Sequence, residues 1–302
     1  MQKLIIQGGN ELSGTIRING AKNSVVALLP AAILSDKETT IYNVPNITDV
    51  TVLKQILEVL NGTITETENS IKINSKNIKN TTIPQELSSK LRASYYFMGA
   101  LLAKFKHVEI YFPGGCNFGA RQIDLHLKGF EALGATITMD GDKFIIDAQE
   151  LVGNKIYLNI ASVGATINLM LAATKAKGET IIYNAAKEAT FLNNMGASIT
   201  GAGSSCIKIT GVKKLGRAII DVIPDRIEAG TYIIAGALLG NNLKITNIIP
   251  EHIASLLVKL TEMGVEYKLE SNEITINKCA NLKPTDIKTG VYPGYPTDLA
   301  QP

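Results

Sequence analysis

The sequence predicts an α/β protein built as an inside-out barrel, with sheets on the outside of a helical core. Two observations carry that prediction. One composite unit (helix, strand, helix, strand, strand) recurs four times in 302 residues, and the first helix of each copy is apolar nearly all round while the strands alternate. A helix apolar on every face is buried on most of them, whereas an alternating strand keeps one face in water, so helices belong inside and sheets outside.

The apolar helices are expected at residues 22–35, 92–104, 162–175 and 227–239. Pro30 lies inside the first and is expected to kink it, because it removes an amide donor. Strands rich in β-branched residues follow at 40–44, 107–112, 180–184 and 243–248. Amphipathic helices such as 52–60 and 253–263 come next, and each copy stops at Asn61, Gly134, Gly196 or Gly264, where a left-handed backbone costs little. A terminal hairpin closes each copy, its second strand at 70–73, 143–146, 206–209 and 273–276. After the fourth copy, Pro296-Thr297-Asp298 reads as the N-cap and first turn of a fifth inner helix, so the chain is expected to be a truncated form of something longer.

Composition narrows the function. With 45% hydrophobic and 19% charged residues the chain can bury a sizeable core without staples, and its length makes two domains the natural expectation. Thirty Lys and Arg against 27 Asp and Glu, scattered along the chain, argue against a nucleic-acid or polybasic membrane surface. The absence of Trp argues against stacking platforms for single-stranded nucleic acid. Cys116, Cys206 and Cys279 are too few and too far apart for a disulfide framework, and with His107, His126 and His252 they show no metal-ligand spacing. Residues 1–12 show no basic stretch followed by an apolar one, and no apolar run reaches about 18 residues, so neither a signal peptide nor a membrane span is expected and a reducing cytoplasm is the default, with no membrane partner.

Chemistry is expected at two places. The inner helices begin at Lys22-Asn23, Arg92, Ser162-Val163-Gly164, Asp225-Arg226 and Thr297-Asp298. Equivalent ends of repeats share a rim, and several helix N-termini facing one cleft suit phosphate groups. Taken singly, Ser162, Asp225 and Thr297 read as ordinary N-caps. Lys22 and Arg92 oppose the helix dipole and need an anion. The second place is the glycine-rich stretch 113–126, where Cys116 close to Arg121 is either an acid or nucleophile of lowered pKa or a surface thiol without a role. Cys206 and Cys279, in or just after hairpin strands, read as packing residues. His107 and His126 read as structural as readily as functional, and His252 as the start of a helix.

Several stretches together carry a resemblance: Gly20-Ala21-Lys22-Asn23, Arg92-Ala93-Ser94, Pro113-Gly114-Gly115-Cys116, Gly119-Ala120-Arg121, Asp124-Leu125-His126, Ser162-Val163-Gly164-Ala165-Thr166, Pro224-Asp225-Arg226-Ile227-Glu228 and Pro296-Thr297-Asp298. In order and spacing the sequence resembles the enolpyruvyl transferases, and among them the UDP-N-acetylglucosamine 1-carboxyvinyltransferases. The resemblance implies two inside-out barrel domains of three repeats each, the first over residues 22–223 and the second, incomplete, over 1–21 and 224–302. It implies transfer of the enolpyruvyl group of phosphoenolpyruvate to the 3-hydroxyl of UDP-N-acetylglucosamine with release of phosphate, the first committed step of peptidoglycan synthesis. No metal and no cofactor is implied.

By the same resemblance, Lys22, Arg92 and Arg121 hold the phosphate of phosphoenolpyruvate, and Asn23 contacts the nucleotide sugar and supports the tetrahedral intermediate. Arg121, Gln122, Ile123, Asp124 and Leu125, with Ser162, Val163 and Gly164, match contacts to uridine and diphosphate, and Arg92 and Thr297 also face the nucleotide sugar. Cys116 matches a thiol that assists at the phosphoenolpyruvate end, moves a proton and is alkylated by fosfomycin. Asp298 matches the base at the attacking hydroxyl.

Three departures are visible. Family arginines for the phosphoenolpyruvate carboxylate lie past residue 302, which is expected to cripple catalysis; a connection of about half a dozen residues is missing between Glu188 and Ala189, tighter than usual for such a join; and Ile160 stands where some members carry Lys. A shikimate 3-phosphate enolpyruvyl transferase is disfavoured by Lys22-Asn23-Ser24. The remaining alternative is a catalytically inactive nucleotide-sugar-binding protein of the same fold. Nothing in the sequence fixes an oligomeric state.

Overall fold

The computed structural model describes residues 3, 5–114, 123–186, 191–290 and 294–300. Contacts divide the chain into two compact units, Lys22–Val222 and Met1–Ala21 with Ile223–Pro302. Strand β1 (Leu12–Arg17) belongs to the second of these, and the chain then enters the larger unit at helix α1 (Lys22–Ala31). Pro30 does not stop α1 at once: the amide it lacks would bond Val26, four residues earlier, and the helix runs on to Ala31 before ending in a 3-10 turn over Ala32–Leu34. Strand β2 (Glu38–Tyr42), helix α2 (Thr48–Val59) and the hairpin β3 (Thr63–Thr67) and β4 (Ser70–Asn74) complete the first repeat.

The second repeat follows a short helix α3 (Gln85–Ser88). A 3-10 turn over Arg92–Tyr95 leads into α4 (Tyr96–Phe105), then β5 (His107–Tyr111), α5 (Asp124–Ala132), β6 (Thr136–Asp140) and β7 (Lys143–Asp147). In the third, β8 (Lys155–Tyr157) precedes α6 (Val163–Ala173) and β9 (Glu179–Tyr183), and β10 (Ser198–Thr200), β11 (Cys206–Thr210) and β12 (Ala218–Asp221) follow. Its second helix shrinks to a 3-10 turn over Leu192–Met195, which corrects the expectation of a full helix there. The fourth repeat, in the smaller unit, consists of α7 (Arg226–Leu239), β13 (Gly240–Thr246), α8 (Ala254–Glu262), β14 (Tyr267–Leu269) and β15 (Glu273–Ile276).

All four stop residues have the left-handed backbone their sequence demands, with φ of 67° at Asn61, 94° at Gly134, 94° at Gly196 and 86° at Gly264. The strand after each inner helix pairs antiparallel with the second strand of its own hairpin, as in Glu38↔Asn74 through Tyr42↔Ser70. An unanticipated element then adds to each sheet in parallel: β12 beside β2, β8 beside β9, β1 beside β13, and a single bridge from Ile83 to Ile110. All four of these partners come from segments that precede an inner helix, and such parallel pairing needs a crossover rather than a turn.

The larger unit carries its sheets outside its helices. Strand β11 alternates buried and exposed side chains, whereas α1 is buried continuously from Val25 to Ala31 and α4 from Tyr96 to Ala103. Helix α4 packs against both α1 and α6. In the smaller unit α7 buries only the stripe Ala229, Gly230, Ile233, Gly236 and Ala237, and Leu238 and Leu239 are 54% and 40% exposed. That corrects the expectation that all four inner helices are buried on most faces: α7 packs against one sheet, a 3-10 turn over Pro250–Ile253 and the turn over Thr297–Leu299, and buries one stripe.

Two smaller expectations also fail. Cys206 is exposed at the start of β11, on the outer face of its sheet, rather than packed. Thr297 is not a cap: Pro296 holds the N-cap position of a single 3-10 turn over Thr297–Leu299, and no side chain caps it. The turn is held by Leu299, which is buried beside Gly230.

Candidate active site

The larger unit gathers several predicted residues at the start of α6. Ser162 has an extended backbone, and its Oγ accepts a hydrogen bond from the Ala165 amide at 3.3 Å while its carbonyl accepts from Thr166 at 2.9 Å. Ser162 is therefore an N-cap, and among the described residues the amides of Val163 and Gly164 have no acceptor and are the open donors of the helix start. A Cβ on Gly164 would lie 2.6 Å from Tyr95 Oη and 3.2 Å from His126 Cε1, so only glycine lets this turn seat on those two rings.

The rings themselves meet edge to face at 4.7 Å, and the Arg92 guanidinium lies 5.9 Å from the centre of the Tyr95 ring. Arg92, Ser162, Val163 and Gly164 thus come together with the start of α5. There Ile123 is buried at the N-cap position, and Asp124 sits in the first turn, where a carboxylate complements the helix dipole, 3.7 Å from Lys128. Leu125 packs partly buried against the core.

Below this surface lies a buried polar cluster that sequence reasoning missed. Asn168, fully buried in α6, donates from Nδ2 to the Tyr95 carbonyl at 2.9 Å and accepts at Oδ1 from the Gly99 amide at 2.8 Å. Residues 95 and 99 are an i, i+4 pair, so the amide clasps the first turn of α4. Asn168 Nδ2 also lies 2.9 Å from His126 Nδ1. Burial and, second, the nearby Arg92 charge push the His126 pKa down to about 4, against which Asp124 acts weakly. The available signal was an Asn in a helix that is apolar apart from it and Thr166.

The other predicted residues are distributed elsewhere. Lys22 and Asn23 are exposed at the start of α1, and the Lys22 ammonium is 3.6 Å from the Asp49 carboxylate, so part of the anion that this lysine requires is supplied by α2. Cys116, Arg121 and Gln122 lie outside the described residues; the last described residue before them, Gly114, donates its amide to the Ser88 carbonyl at 3.1 Å. In the smaller unit Thr297 and Asp298 are both exposed. Asp225 caps α7 there, its Oδ1 accepting from Ile227 at 2.7 Å and Glu228 at 3.2 Å. Ile160 is 71% exposed. Among the described residues no group of His, Cys, Asp or Glu is arranged to hold a metal, and no helix is long and apolar enough to cross a membrane.

A family model described as EPSP synthase (3-phosphoshikimate 1-carboxyvinyltransferase) matches residues 6–301. UDP-N-acetylglucosamine 1-carboxyvinyltransferase 2 of Bacillus cereus is 51% identical over 309 aligned positions that take in 100% of this chain and 72% of the relative. The chain belongs to the UDP-N-acetylglucosamine 1-carboxyvinyltransferase family. Its namesake from Oceanobacillus iheyensis is 52% identical over 308 positions, again with 100% and 72% covered. Members of this family thus carry residues within the matched span that the 302-residue chain lacks.

Two solved structures share the fold of this carboxyvinyltransferase chain. The enolpyruvyl transferase NikO from Streptomyces tendae superposes with a TM-score of 0.84 at 24% identity, covering 98% of this chain and 72% of that one. An EPSP synthase from Acinetobacter baumannii gives 0.67 at 18% identity, covering 90% and 66%. The sheet-outside, helix-inside architecture is that of the enolpyruvyl transferases.

Proposed function

We propose that this chain is a transferase that moves the enolpyruvyl group of phosphoenolpyruvate to the 3-hydroxyl of UDP-N-acetylglucosamine and releases phosphate, working in the cytoplasm at the entry to peptidoglycan synthesis. One observation carries the reading beyond family membership: the open amides at the start of α6 and the Arg92 guanidinium converge on the same ring pair, Tyr95 and His126. Helix-start amides and a guanidinium at one place form an anion site of the kind a diphosphate fills.

In this reading Ser162, Val163 and Gly164 hold the diphosphate through the backbone with Arg92 beside them, and Arg121, Gln122, Ile123, Asp124 and Leu125 line the uridine. Lys22, Arg92 and Arg121 neutralise the phosphate of phosphoenolpyruvate, and Asn23 and Thr297 orient the sugar. Asp298 takes the proton of the 3-hydroxyl as its oxygen bonds to C2 of phosphoenolpyruvate, and a proton is delivered to C3. Loss of that proton and of phosphate from the tetrahedral adduct restores the double bond. Cys116 serves the phosphoenolpyruvate end, where neighbouring cations favour its thiolate.

The thiol assignment is tested with fosfomycin and mass spectrometry of the intact chain. The unaltered protein, Cys206→Ser and Cys279→Ser are expected to gain one adduct, and Cys116→Ser none. An adduct that persists in Cys116→Ser would remove that residue from the site.

A further inference from the structure

The tautomer of His126 follows from its neighbours. The Gly99 amide can only donate, so the atom of Asn168 that meets it is Oδ1; the Tyr95 carbonyl can only accept, so the atom that meets it is Nδ2. The third contact, 2.9 Å from Nδ2 to His126 Nδ1, is then an amide N–H donated to an unprotonated ring nitrogen. The imidazole, 3% exposed and neutral at pH 7, carries its proton on Nε2.

The direction of that N–H follows from the ring. Nδ1 faces Asn168, and the next ring atom, Cε1, faces Gly164, one helical turn closer to the start of α6. Nε2 comes after Cε1, so the edge of the imidazole runs parallel to α6 toward its N-terminus. Among the described residues Nε2–H has no acceptor, and the amides of Val163 and Gly164 at that terminus have none either. A ring N–H that no described residue accepts, at the same helix start as two open amides, is placed to meet an acceptor on a ligand.

We propose that His126 is a ligand-binding residue, donating Nε2–H to the phosphate group held at the start of α6, with Asn168 as the positioning residue that fixes its tautomer. The inference rests on the reading of that helix start as the diphosphate site. It assigns the site a neutral third donor beside the backbone amides and Arg92, one whose strength is independent of pH across the neutral range.

The test uses the full chain with UDP, UDP-N-acetylglucosamine and uridine. In long-range nitrogen-15 spectra the free protein shows His126 as the Nε2–H tautomer. UDP and the nucleotide sugar are expected to shift the Nε2 signal, and uridine, which lacks phosphate, is expected to leave it in place. Asn168→Asp replaces the donor by an acceptor and is expected to move the proton to Nδ1.

By titration calorimetry, His126→Gln, whose amide N–H reaches near the Nε2 position, should bind UDP within about threefold of the unaltered chain. His126→Asn, which reaches only to Nδ1, should bind UDP about tenfold more weakly or worse, with uridine affinity unchanged. UDP binding with an unmoved Nε2 signal, or equal UDP affinity in His126→Asn and the unaltered chain, would overturn the inference while leaving the site standing. No UDP binding by the unaltered chain would overturn the reading of the site and the inference with it.

Discussion

The inner helices of Lys22–Val222 and the inner helix α7 of the smaller unit are written in the same apolar alphabet, yet they end in different surroundings. Helices α1, α4 and α6 are enclosed along most of their length, and α4 touches both of the others. Helix α7 buries one stripe and leaves Leu238 and Leu239 in water. The local pattern decides that a helix forms and where it stops; enclosure depends on how many copies of the repeat surround it. The cluster of Asn168, His126 and Gly99 lies where α4, α5 and α6 of the larger unit meet.

The contrast is testable by truncation. Phe97→Ala in α4, where the ring is fully buried, should cost about 4 kcal/mol, and Leu239→Ala in α7 less than about 1 kcal/mol, by denaturant unfolding of each variant. Equal losses would mean that α7 is as enclosed as α4. A close second is Gly99→Ala. Its Cβ would collide with the Asn168 backbone, which cannot yield without moving α4 from α6, so a loss of about 3 kcal/mol is expected. Gly230→Ala meets instead the tip of Leu299 at 2.5 Å, a flexible end, and the gain in helix propensity offsets the shift to within about 1 kcal/mol.

Acid tests the buried cluster of the larger unit. The His126 pKa is about 4 in the folded chain against 6.5 for the ordinary imidazole, so the unfolded chain binds the proton more readily. Stability is full above pH 6.5 and falls as pH drops toward 4, by up to roughly 3 kcal/mol from this group. His126→Gln should flatten that stretch of the pH–stability curve; an unchanged slope would mean that the imidazole is not held neutral. The smallest effect is expected at the caps. Asp225→Ala removes two bonds to the start of α7 and should cost about 1 kcal/mol, and Ser162→Ala, with one longer bond, somewhat less.

Much of the fold was legible in the sequence because it is local. Asn61, Gly134, Gly196 and Gly264 stop their segments for a reason visible in one residue, and the hairpins follow from alternation. Strands β1, β8 and β12 were not legible: they are short, their partners lie across a helix or at the other end of the chain, and parallel pairing leaves no turn signal. The third repeat's 3-10 turn over Leu192–Met195 was not legible, because its sequence carries the same stop residue, Gly196, as the full helices. At the site, Arg92 and Ser162-Val163-Gly164 could be read from helix starts, whereas Tyr95 and Asn168 act through buried contacts that only the packing of α4, α5 and α6 creates.

The measurement that tests the account most directly is phosphate release from phosphoenolpyruvate by the full chain, with and without UDP-N-acetylglucosamine. The account predicts release that depends on the nucleotide sugar. A chain that binds UDP-N-acetylglucosamine and releases no phosphate would contradict the transferase reading and leave a nucleotide-sugar-binding protein of the same fold.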